Sequence, residues 1–336
     1  MGASPEGFQA RHLSRAVALF GALLLACLVL GVAVGPTTID FGRVLGGDDV
    51  GRDLFKLTVV RLPRATAAVI VGGCLALAGV VFQALIHNPL ASPYILGVSA
   101  GGSFGAVCAI AAGIGLVVPF ALVGAMAAIV LVYLVARTEG RVPADTLLLA
   151  GVIVNTFFAA CIMLTTYLTG SDQTLRIMRW LVGGLSDLYE WRTLLFSGLV
   201  LVTLGAGLTL DGRALNLLSV GDDTAERMGI DVQRVRTRLF FLASLTTAVA
   251  VSISGPIGFV GLIIPHILRL LVGSDHRLLV PCSALAGGAF LVVADTAASV
   301  LWRTPLPVGL VTALLGGPFF IWLMKTRNIK RAGHGL

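Results

Sequence analysis

Gly221 to Arg236 reads GDDTAERMGIDVQRVR, the most charged long segment in a chain of which only 12% is Asp, Glu, Lys or Arg. Apolar runs of membrane-spanning length flank it, at about 193–210 and about 239–254. The stretch reads as two short helices. Asp223 is placed to cap the first, and Glu226, three residues on, completes a capping box. Gly229 is placed to end that helix in the left-handed conformation, and Asp231 to cap the next. Two capped helices held between membrane spans predict a docking surface for something outside the bilayer. The plainer alternative is a connecting loop.

Composition sets the class around this stretch. Of 336 residues, 57% are hydrophobic, and mean hydropathy is +0.96. A soluble chain this apolar would expose patches that aggregate, so an all-α polytopic membrane protein is expected. The 41 glycines fit close helix packing in a bilayer. The net charge of +7 fits Lys and Arg retained on the inner side of a membrane and gives no ground for a nucleic-acid partner. Cys27, Cys74, Cys108, Cys161 and Cys282 lie inside apolar runs with no C-x-x-C spacing. They read as small buried hydrophobes rather than a metal or disulfide framework. No metal site and no catalytic residue is assigned.

Ten runs, each near the ~20 residues that cross ~30 Å of hydrocarbon, cover about 16–35, 65–85, 94–112, 116–136, 146–168, 193–210, 239–254, 257–272, 279–299 and 308–324. Residues 169–190 read as a polar loop carrying Arg176, Arg179 and Trp180. Ten spans put both termini on one side. That side holds 15 Lys and Arg against 9 opposite, which places the termini and residues 221–236 in the cytoplasm. No connecting segment leaves room for a separate soluble domain, so residues 1–336 read as a single transmembrane domain. No G-x-x-x-x-G-K-[ST] motif occurs. If ATP drives the protein, another chain holds it.

Four segments resemble one family throughout. They are Arg61-Leu-Pro-Arg64; Gly79 to Gly102, GVVFQALIHNPLASPYILGVSAGG; Gly255 to Arg269, GPIGFVGLIIPHILR; and Pro307 to Phe320, PVGLVTALLGGPFF. Together they resemble the FecCD permeases of binding-protein-dependent ABC importers, which take up ferric siderophores, haem and cobalamin. The resemblance implies a type II importer fold with ten helices and short cytoplasmic coupling helices, in the inner membrane. It implies a homodimer around the pathway, two ATP-binding cassette subunits carrying ATP and Mg, and a periplasmic or lipid-anchored substrate-binding protein. This chain itself would hold no cofactor, and lipid would surround it.

The resemblance also assigns residues. Asp222, Asp223, Ala225, Glu226, Arg227, Met228 and Gly229 match the segment that couples to the ATPase. Arg61 and Arg64 match arginines that meet the binding protein; without the resemblance, anchoring of the helix end among headgroups would be the favoured reading of basic residues there. The family's arginine at the end of the ninth span is Ser299 here, and Pro305 stands where its glutamate would be, so Arg303 is the substitute docking residue. Gln83, Asn155, Phe158 and Met163 are the pathway candidates. His266, in the family's Pro-His pattern, reads as a packing group, and Asp295 as a locally paired one. An ion-coupled secondary transporter would need paired ionisable groups at mid-membrane. An intramembrane protease built on Ser99 or Ser103 with His266 would lack its Gly-x-Ser-x-Gly setting.

Overall fold

The computed structural model describes residues 5–40, 50–138, 140–186, 188–302 and 304–332. Arg303 lies outside the described residues. Fourteen α-helices, numbered here in chain order, account for most of these residues. They are α1 (Pro5–Ala33), α2 (Val50–Phe55), α3 (Leu62–Leu85), α4 (Val98–Ala111), α5 (Val117–Ala136), α6 (Ala144–Tyr167) and α7 (Ser171–Val182). They continue with α8 (Trp191–Leu210), α9 (Gly212–Val220), α10 (Asp222–Arg227), α11 (Val232–Ser254), α12 (Val260–Val272), α13 (His276–Val300) and α14 (Val308–Ala332). A π-helical turn, Lys56–Arg61, joins α2 to α3. Seven helical segments are long and apolar enough to cross a membrane, and α4, α12 and Val308–Leu323 are shorter apolar ones. The ten expected runs are therefore all helical, but three fall short of a full span.

α3 is the axis of the bundle. Its central residues, from Ala67 to Leu85, are nearly all buried, because α8, α11, α12 and α13 pack around it. Small residues make this possible. A Cβ on Gly79 would sit 1.9 Å from the Gly261 carbonyl oxygen of α12, and one on Gly72 would sit 2.2 Å from that of Gly287 in α13. Apolar association in hydrocarbon rests on such backbone approach. α4, α5 and α6 form a second layer, and α1 lies along α13.

The short helices start inside the bundle. α4 begins after Gly97 at φ +75°, against Gly151 and Val154 of α6. α12 begins after Phe259, a non-glycine residue at φ +68°. The supposed polar loop at 169–190 contains the amphipathic α7, which packs Ile177 against Val107 and Ile110. Its Leu, Ile, Met and Val spacing was the overlooked helical signal.

Residues 221–236 also depart from the expected pair of short helices. α10 is capped by Gly221 at φ +138°, with Asp222 as its first residue, so Asp223 is not the N-cap and no capping box forms. Gly229 does take the left-handed conformation, φ +83°. The Asp231 side chain accepts from the Arg234 amide at 3.0 Å, as expected of a cap. What it starts is no short helix but α11, which runs unbroken to Ser254.

Candidate functional site

The two ends of the bundle treat their charges differently. At the end carrying α10, Ala225 is fully buried while Asp223, Glu226, Arg227, Met228 and Gly229 face outward. One buried methyl anchors a short helix whose polar surface stays free. Asp222 ties the root. It accepts from the guanidinium of Arg236, which is 1% exposed and also lies 3.4 Å from the Val142 carbonyl oxygen. A buried guanidinium needs such an anionic partner. Gln233 accepts from the Val142 amide at 2.9 Å, binding α11 to the segment before α6.

The same carboxylate reaches the turn after α3. His87, at φ +54°, lies 3.9 Å from Asp222 and donates Nε2–H to the Leu218 carbonyl at 2.5 Å. Asp222 therefore lies between α10, the start of α11 and the turn that ends the central helix. A neighbouring cluster orders the start of α13. Asp275 caps that helix and binds the Arg277 guanidinium at 2.6 Å. That contact holds the Asp275 carboxyl well below the usual carboxylate range. At the end of α8, burial pushes the Asp211 carboxyl up while the paired Arg238 pulls it down.

At the opposite end, the arginines expected at the surface are turned inward. Arg61 is 8% exposed, and its guanidinium donates to the carbonyls of Val32 and Ala33, both at 2.9 Å, and of Thr37. Arg64 donates to both carboxylate oxygens of Asp295, at 2.8 and 2.9 Å. Asp295 is thus paired across 231 residues of chain, not locally. Both arginines still line a cavity of about 1130 Å³, together with Lys56, Arg176, Arg179 and Trp180. Arg176 and Arg179, on one face of α7, are the exposed ones. Sequence reasoning passed over them because α7 was read as loop.

The four pathway candidates separate. Gln83 is 4% exposed, bonded to the Gly261 carbonyl at 3.2 Å and to Arg269. Phe158 is 7% exposed and packs on Phe104, ring centres 5.6 Å apart. Both are core residues, and their side chains are occupied. Asn155 and Met163 are exposed on α6, among Val152, Ile153 and Phe157. His266 is 6% exposed and stands edge-on to Phe319, a packing position as expected.

A multi-pass helical bundle, opened at one end by a basic cavity and finished at the other by a short anchored helix, defines a transport subunit of the membrane. The profile of the FecCD transport family matches residues 23–326. The hemin transport system permease protein HmuU of Yersinia pestis is 37% identical over 329 residues, 93% of this chain and 96% of that one. The cobalamin import system permease protein BtuC of Halobacterium salinarum is 44% identical over 276 residues, 81% of this chain and 73% of that one. A solved structure of a candidate metal-chelate type ABC transporter, inward-facing, superposes with a TM-score of 0.82 at 32% identity, covering 93% of this chain and 99% of that one. The chain belongs to the FecCD transport family.

Proposed function

We propose that this chain is the membrane-spanning permease subunit of an ABC importer that carries a large metal chelate inward, of the class formed by cobalamin, haem and ferric siderophores. Relatives named for cobalamin and haem support the substrate class. The chain works as a homodimer in the inner membrane with both termini in the cytoplasm. Two ATPase subunits below it bind ATP and Mg, and a substrate-binding protein docks above.

The observation that carries the reading is α10: a six-residue helix rooted by Ala225 and by the Asp222–Arg236 pair, with its polar surface exposed. A force applied to that surface would pass through Asp222 to α11 and through His87 to α3. Each nucleotide state must then favour one arrangement of these helices over another. Asn155 supports a pathway along α6. An amide exposed midway along an apolar helix is costly against lipid and inexpensive against water, substrate or a second subunit.

For docking above, we place the binding protein against the rim of the basic cavity. Arg176 and Arg179 present their charges outward, while Arg61 and Arg64 hold the rim in shape. The test is reconstitution with the ATPase subunits and binding protein encoded alongside it. Uptake of labelled cobalamin, haem or a ferric siderophore should require ATP and the binding protein. Uptake driven by an ion gradient without any ATPase subunit would overturn the proposal.

A further inference from the structure

At the α10 end, a second cleft of about 500 Å³ opens between α3, α9, α12 and the start of α13. Its polar lining includes Gln83, His87, His266, Arg269 and His276, together with the serines Ser219 and Ser274, with no carboxylate among the described residues that face it. The three imidazoles do not converge on one point: among the described residues, no group of three or more His, Cys, Asp or Glu could hold a metal ion. Arg269 is oriented by Gln83, whose carbonyl oxygen accepts from it.

His276 gives the cleft its chemistry. It is 3% exposed, and its protonation pattern follows from its neighbours. The Asn216 amide nitrogen donates to Asp275 at 2.8 Å. Its carbonyl oxygen accepts from the His276 backbone N–H at 2.8 Å, which fixes the amide orientation. That same oxygen lies 2.8 Å from His276 Nδ1, so Nδ1 carries the proton and donates. Nε2 is left as a lone pair, buried and without a hydrogen-bond partner. Buried polar atoms are nearly always paired, so an orphan acceptor in a cleft wall marks a place for a donor from outside.

A fixed guanidinium and an unpartnered acceptor on residues that line one cleft are the complement of an oxyanion that still carries a proton. We propose that this cleft binds inorganic phosphate, with Arg269 meeting the charged oxygens and His276 Nε2 accepting from the P–OH. Sulfate has the shape and charge of the hydrogenphosphate dianion but no proton to donate, so it leaves Nε2 unmet. The cleft therefore distinguishes the two anions, as a merely basic surface would not. On the reading given under Proposed function, ATP hydrolysis by the partner releases phosphate on this face. The site rests on its own residues and is tested on this chain alone.

The experiment is calorimetric titration of the purified full-length chain, in detergent, with sodium phosphate and sodium sulfate at pH 7. Saturable phosphate binding at least tenfold tighter than sulfate is expected. Arg269→Gln should weaken phosphate at least tenfold, and His276→Ala should weaken phosphate while leaving sulfate unchanged. Equal affinity for the two anions in the unmutated chain would overturn the proposal without recourse to any variant. So would the absence of saturable binding, or full phosphate affinity in Arg269→Gln. Repeating the titration in nanodiscs of phosphatidylcholine with and without phosphatidylglycerol identifies the source of the anion. Unchanged affinity supports a free phosphate, and loss of binding with phosphatidylglycerol would give the cleft to lipid headgroups instead.

Discussion

The two ends of this bundle carry similar charges to different purposes. At the α10 end one acidic residue, Asp222, is spent on holding the root, and the rest of the helix surface is left free. At the other end Arg61 and Arg64, the two arginines of the RLPR signature, are both paired inside the chain. The difference separates scaffold from contact surface. A charged residue matching a family motif is a contact only if its head group remains available, and here availability runs opposite to prominence in the sequence.

The Arg61–Arg64 end offers the largest effect. Asp295 is 9% exposed in its side chain and Arg64 18%, so Arg64→Ala strands a nearly buried carboxylate. Breaking such a pair costs about 3–5 kcal/mol, and the detergent-solubilised chain should melt well below the parent. The exchanged pair, Arg64→Asp with Asp295→Arg, should recover most of the loss while moving the positive charge across the cavity. If the exchanged chain folds yet binds the substrate-binding protein as before, Arg64 is scaffold alone. If docking falls while the melting temperature holds, the arginine has a contact role as well.

At the α10 end, Ala225→Pro removes the amide that donates to the Gly221 carbonyl at 3.0 Å. Proline inside a helix costs about 3 kcal/mol, more than a single six-residue turn can absorb. ATP-driven uptake in proteoliposomes should fall at least tenfold, with membrane insertion unchanged. Full uptake by this variant would remove α10 from the coupling path. A smaller perturbation is His87→Ala, which deletes the bond to Leu218 and the approach to Asp222, worth about 1 kcal/mol. If force passes from α10 to α3 through that imidazole, ATP hydrolysis should persist while uptake per ATP declines two- to fivefold. An unaltered ratio would leave α11 as the sole route.

Much of the bundle was legible from hydropathy. α6 was expected at about 146–168 and spans Ala144–Tyr167, because a bilayer admits few lengths of apolar helix. What escaped was set by contacts distant in sequence. α7 is half polar, so a hydropathy reading passes over it, and only burial of Ile177 against α4 shows its purpose. The Asp295 partner lies on another helix at the far end of the chain, where no local pattern points. Gly221 rather than Asp223 caps α10, and Asp222 pairs with Arg236, a residue buried by the fold. Gln83 and Phe158 drew attention as polar and aromatic residues in the membrane, yet packing had already claimed both side chains.

The smallest predicted effect tests whether the α10 end is held electrostatically throughout. The Arg277 guanidinium depresses the Asp275 carboxyl, so the pair stabilises the folded state above the unfolded carboxylate pKa of about 3.9. That contribution erodes as the pH falls below this value and is gone once the folded-state carboxyl is protonated. Both side chains are more than a third exposed, so solvent screening keeps the contribution under about 1 kcal/mol. Asp275→Asn isolates it, because asparagine caps a helix about as well as aspartate and keeps an oxygen for the Arg277 amide. The variant should melt slightly below the parent at pH 7, and the gap should narrow as the pH falls below about 4. A gap that does not narrow at all between about pH 4 and pH 2 would assign the effect to the cap hydrogen bond. The start of α13 would then be held by geometry, as Arg61 is at the other end.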